Sequence, residues 1–76
     1  MADSLWREAT RTMNRAGVGA LYEHRTDHTQ VVVVEIHEPT GYVRWRRASG
    51  PGWGDRHRNL KCEDFLRVYR LKETGR

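Results

Sequence analysis

Residues 31–47, "VVVVEIHEPTGYVRWRR", constrain the fold more than any other stretch. Four valines and an isoleucine are stiff at χ1 and sit well on a pleated surface, so a strand is expected over 31–37. "EPTG" reads as a hairpin turn. Pro39 presets φ for the first corner, and Gly41 supplies a left-handed residue, as in a three-residue loop with a bulge. The strand after it alternates. Successive side chains of a strand point to opposite faces, so Val43 and Trp45 face one way and Tyr42, Arg44 and Arg46 the other. A hairpin with one oily and one cationic face follows.

The remaining segments are placed around that hairpin. Residues 4–16 read as a helix, with Asp3 or Ser4 as N-cap and Gly17 closing it. Leu5, Trp6, Ala9, Met13 and Ala16 recur at helical spacing and form an apolar stripe. Arg7, Arg11 and Arg15 line the other face at i, i+4 and i+8, where like charges repel by roughly 0.2–0.5 kcal/mol per pair. A first strand is expected over 20–25, with "TDHTQ" as the turn into the valine run. A Gly- and Pro-rich loop covers 48–55, a fourth strand 56–61, one helical turn 62–67 and a fifth strand 68–71. The last five residues, "KETGR", are expected to fray.

The inward set begins with Leu21, Val32, Val34 and Ile36, then Val43 and Trp45. It continues with Leu60, Phe65, Leu66, Tyr69 and Leu71. This phase turns Val31 and Val33 outward, where the helix or a second copy in a homodimer would have to cover them. Short strands that cannot bury both faces in an open sheet curl. The expected class is therefore mostly β (α+β): a small five-stranded SH3-like, partly open barrel over 18–76, preceded by an amphipathic helix over 1–17. At 76 residues this is one domain with a thin core.

Residues 20–71 resemble the small SH3-like barrel proteins of bacteriophages and other mobile elements. The likeness lies in a "Y-x-H-R" first strand (Tyr22–Arg25), a valine-rich second strand (Val31–Ile36), a "G-x-V-R-x-R" third strand (Gly41–Arg46) and a "D-F-L-R-x-Y" ending (Asp64–Tyr69). It implies a fold and a phage-like origin, and assigns no site residue.

Several chemistries are set aside. Cys62 is the only cysteine, so no internal disulfide forms and a reducing compartment is expected. "MADSLWREAT" has no apolar core of a secretory leader, and "VVVV" is too short to span a bilayer, so a cytoplasmic protein without membrane contact is expected. His24 and His28 flank a turn, which sends their rings apart, and His57 and Cys62 are separated by a strand, so no metal is expected. Glu63 and Asp64 oppose thiolate formation at Cys62, and no histidine is placed beside it as a base. "GPGWG" lacks the strand–loop–helix setting and the Lys-Ser/Thr ending of a phosphate cradle. Without a catalytic constellation or a cofactor site, an enzyme is not expected.

The charge layout points to binding. The chain carries a net charge of +4, and twelve of its fourteen basic residues are arginine, whose planar fork suits phosphate and aromatic faces. Tyr42, Arg44 and Arg46 share one face of a strand, Arg56 and Arg58 share a face of the next, and Trp53 sits on the loop between. Together they could contact DNA or RNA through its backbone, with the helix arginines Arg7, Arg11 and Arg15 as a second basic strip. Two readings stay open: a nucleic-acid-binding protein, or a protein–protein interaction module, for example an inhibitor of a host or defence protein. The second would use the same arginines against an acidic surface, or Val31, Val33 and Trp6 as an apolar patch.

Overall fold

The run of β-branched residues and the alternating strand pair as the sequence suggests. The computed structural model describes residues 2–48 and 58–75. In chain order it has helix α1 (Ala2–Ala16), strands β1 (Leu21–His24), β2 (Gln30–His37), β3 (Tyr42–Arg47) and β4 (Arg58–Lys61), helix α2 (Cys62–Val68) and strand β5 (Tyr69–Glu73). The strands form one antiparallel sheet in the order β4-β3-β2-β1-β5. The sheet is not closed, and the two helices complete a small α+β fold.

One face of the sheet holds the core. Tyr22, Val31, Val33, Val43, Trp45 and Tyr69 are buried there under Phe65 and Cys62 of α2 and Met13 and Ala16 of α1. Four aromatic rings make its centre. Phe65 stacks on Tyr69 at 4.6 Å, meets Trp45 at 4.8 Å and meets Tyr22 edge-on at 5.0 Å. Aromatic pairs at such separations add about 0.5–1.5 kcal/mol each beyond their buried area. No helix of the described residues is long and apolar enough to cross a membrane.

The β2 phase corrects the sequence expectation. Val31 and Val33 are buried, whereas Val32 and Val34 lie half-buried on the opposite face. The cause is a bulge. Val33 pairs with Trp45 and Glu35 with Arg44, so Val34 is an extra residue without a partner. Ile36, opposite Val43, packs against the core as expected. Counting back from Ile36 by twos crosses the bulge and inverts the phase of everything before it. Leu21 shifts for a related reason: it pairs with Val32, while Tyr22, opposite Val31, takes the core position. Leu71, in the middle of edge strand β5, is 45% exposed rather than inward.

Two other expectations change. Leu5 is 60% exposed; the buried stripe of α1 is Thr10, Met13 and Ala16, with Trp6 and Ala9 partly covered. Residues 72–75 are tied down rather than frayed. β5 runs to Glu73, and the Gly75 N–H donates to the Ala16 carbonyl at 2.7 Å. Gly75 lies so close to the Val18–Ala20 backbone that a Cβ would stand 2.7 Å from the Ala20 nitrogen.

The β2–β3 connection is a four-residue loop, with His37 paired to Tyr42. Gly41 closes it at φ +74°, and its N–H donates to the His37 carbonyl at 2.8 Å. A Cβ at Gly41 would stand 2.6 Å from Cε3 of Trp6, so this glycine serves both the turn and the seat of α1. Gly41→Ala should cost about 1–3 kcal/mol from the left-handed backbone alone, read as a lower urea midpoint. An unchanged midpoint would contradict this packing.

Candidate functional site

The sheet face opposite the core is the basic one. Along β3, Trp45 is 3% exposed and Val43 fully buried, while Tyr42 and Arg44 stand in solvent, as does Arg46. The alternation expected of "YVRWRR" is therefore present. Register sets the neighbours: Arg46 lies opposite Val32, Arg44 opposite Glu35 and Asn59, and Tyr42 opposite His37 and Lys61. Residues directly opposite in an antiparallel pair share a face. A shallow groove of about 340 Å³ runs beside the Tyr42 ring, walled by Glu35, His37, Thr40, Arg44 and Asn59.

The cations on this face differ in availability. The Arg70 and Lys72 head groups reach Glu23 at 3.1 Å and 3.8 Å, and the His28 ring joins the same carboxylate at 3.0 Å. Arg44 pairs with Glu35 at 3.3 Å, with both side chains about half exposed. An exposed pair of this kind is worth about 0–1 kcal/mol, so a phosphate can compete for the guanidinium. Arg46 donates to the Arg47 carbonyl at 3.3 Å and has no carboxylate within ion-pair distance among the described residues.

Glu23 is the electrostatic anchor of the far end of the sheet. The hydrogen bond from His28, then that from Arg70, hold its carboxyl down at about 2. A carboxyl depressed in the folded state contributes stability that is complete above its unfolded value, near 4.5, and is lost as pH falls toward 2. The chain should therefore lose stability between about pH 4.5 and 2, and Glu23→Gln should flatten that part of the profile. Thermal unfolding of both proteins across this range checks it; parallel profiles would contradict it.

The helix strip is present as well. Arg7, Arg11 and Arg15 are exposed on α1, and none has a carboxylate within ion-pair distance among the described residues. Arg7 and Arg11 border a second cleft, of about 340 Å³, between α1 and the β2–β3 turn, together with Trp6, Asn14 and Glu38. Asn14 donates to the Glu38 carboxylate and closes one end of it.

Three expected contact residues stand differently. Trp53 and Arg56 lie outside the described residues. Arg58 begins β4, but its backbone pairs with Trp45, and Asn59 is the residue opposite Arg44. Of Arg58 only the backbone is described. The apolar patch built on Val31 and Val33 is also overturned, since both are buried.

Other reactive groups have local duties. His24 Nδ1 accepts from the Thr26 and Asp27 amides, and its ring meets Tyr69 edge-on at 5.2 Å. Cys62 is fully buried, and burial pushes its thiol up. Burial, with Cys62 adding to it, pushes the Tyr22 hydroxyl up to about 12. Sequence reasoning missed Lys61 and the interior role of Tyr22. No signal in the sequence joins Lys61 to Tyr42; the β3–β4 register does so.

No protein-family model, curated protein or solved structure matches the chain.

Proposed function

We propose that this chain is a non-enzymatic cytoplasmic protein that binds nucleic acid through the outer face of β3. Arg44 and Arg46 would contact phosphates, and the 44% exposed ring of Tyr42 would stack on an unpaired base lodged in the adjoining groove. The carrying observation is the division of β3: its oily residues are spent on the core, which leaves two guanidiniums and a phenol in solvent on one plane. Arginine forks suit phosphate oxygens, and every base offers a face to a ring, so binding would be backbone-led and weakly selective.

The strand order, with α2 carrying the chain between the two edge strands, supports an SH3-like, partly open barrel as the scaffold. The likeness of residues 20–71 to barrel proteins of bacteriophages fits the same scaffold. The competing partner for these arginines is an acidic protein surface.

Titration with oligothymidylate and with RNA at low salt tests the proposal. Affinity should fall linearly with salt on logarithmic axes, by about 0.7 in slope per phosphate contacted. Failure to bind DNA or RNA at low salt, with a partner still captured from nuclease-treated lysate, would overturn it in favour of protein binding.

A further inference from the structure

Lys61 stands where the basic sheet face meets the basic helix. Its ammonium lies 5.8 Å from the centre of the Trp6 ring and 5.9 Å from that of Tyr42. On the helix side, the Arg7 guanidinium lies 5.6 Å from the same Trp6 ring. Tyr42, Lys61, Trp6 and Arg7 thus alternate ring and cation from β3, across β4, to α1. Trp6 is held in this row by Gly41, which has no Cβ to displace it.

The row differs from an ion-pair network in one respect. A ring quadrupole orients a cation without neutralising it. Lys61, Arg7 and Arg11 have no carboxylate within ion-pair distance among the described residues, in contrast to Arg70 and Lys72 on Glu23. Unpaired cations therefore continue past the sheet to the cleft that Arg7 and Arg11 border, whose other end holds Glu38 on Asn14.

We propose that sheet face and helix strip form one continuous track for a single nucleic-acid strand, with Lys61 as the phosphate-contacting joint between them. This rests on the nucleic-acid reading above and names its ligand more narrowly. The strand is single because Tyr42 can stack only on a base released from its pair. Two separate basic patches would take two short ligands; one track takes one longer ligand.

The test titrates the full chain with oligothymidylates of about 4 and about 12 nucleotides, both within the site-size range of single-strand-binding barrels. One 12-mer should bind per chain, at least about tenfold more tightly than the 4-mer. Lys61→Gln should weaken 12-mer binding about threefold or more and lower the salt slope by about 0.7. The Arg7→Gln/Arg11→Gln pair, at exposed helix positions, should weaken 12-mer binding at least as much and lower the slope by about 1.4, with unchanged melting, and it keeps the test decisive where Lys61→Gln disturbs the start of α2. Wild-type affinity in both variants, with binding still lost in Arg44→Gln/Arg46→Gln, would sink the track and leave the sheet-face reading standing. Equal affinity for a duplex of the same length would sink the single-strand assignment. A wild-type chain that binds no nucleic acid would remove the earlier reading and this one with it.

Discussion

Phe65→Ala should remove about 3–5 kcal/mol of stability, the usual range for truncating a buried aromatic ring. A chain of 76 residues holds only about 4–11 kcal/mol in total, so the variant should be largely unfolded at modest denaturant or mild warming. The size of the effect follows from position. Phe65 is fully buried and touches Tyr22 of β1, Trp45 of β3 and Tyr69 of β5, and so joins three strands to α2. Around it the surroundings cannot easily collapse, because they belong to separate elements held by their own ladders. Trp45 is a less clean probe. Its buried indole N–H has no hydrogen-bond partner among the described residues, so its removal mixes lost packing with relief of an unmet donor. Urea unfolding followed by near-ultraviolet dichroism measures the loss. Leu71→Ala, at a 45% exposed position, is the control and should cost well under about 1 kcal/mol. A Phe65→Ala midpoint close to that of the control would mean that the aromatic cluster does not organise the core.

Charge reversal of Arg44 and Arg46 together should lower affinity for single-stranded DNA or RNA on the order of 100-fold, about equally for every sequence. The salt slope should fall by about 1.4, which is two phosphate contacts on a single strand. The two arginines differ in local cost. Arg44→Glu would place a second carboxylate beside Glu35, now 3.3 Å from the guanidinium, and a small loss of stability is expected there. Arg46 faces Val32 across the ladder, so its reversal meets no like charge in register. The neutral pair Arg44→Gln/Arg46→Gln separates the effects. It should keep wild-type melting and still show the lower slope. Unchanged affinity in both double variants would remove these arginines from the interface.

Much of the hairpin was legible because its signals agreed. β-branched residues, a Pro–Gly turn and strict alternation all point to one antiparallel pair, and the β3 pattern follows residue by residue. The β2 phase was not legible, because Val31 to Val34 are alike and a bulge leaves no mark in a run of identical residues. Tyr22 was hidden for a different reason. A tyrosine in a short strand suits either face, and only its pairing with Val31 assigns it to the interior. The tail was misjudged from its polar composition, whereas Gly75 is held by backbone contacts that composition does not reveal. The candidate site divides in the same way. Tyr42, Arg44 and Arg46 could be read from alternation. Lys61 and Trp6 could not, because their closeness is tertiary: it depends on α1 crossing to the β2–β3 turn and resting on Gly41.

In the proposed complex the cationic outer face of β3 meets a nucleic-acid strand while the inner face stays sealed. An NMR titration of the isotope-labelled chain with oligothymidylate at low salt addresses both faces in one experiment. The Tyr42 ring signals and the Arg44 and Arg46 side-chain N–H signals should move together and saturate, while the buried Trp45 indole N–H stays in place. Shifts concentrated on Trp45 and Phe65 with Tyr42 and the two arginines unmoved, or no shifts anywhere, would contradict it.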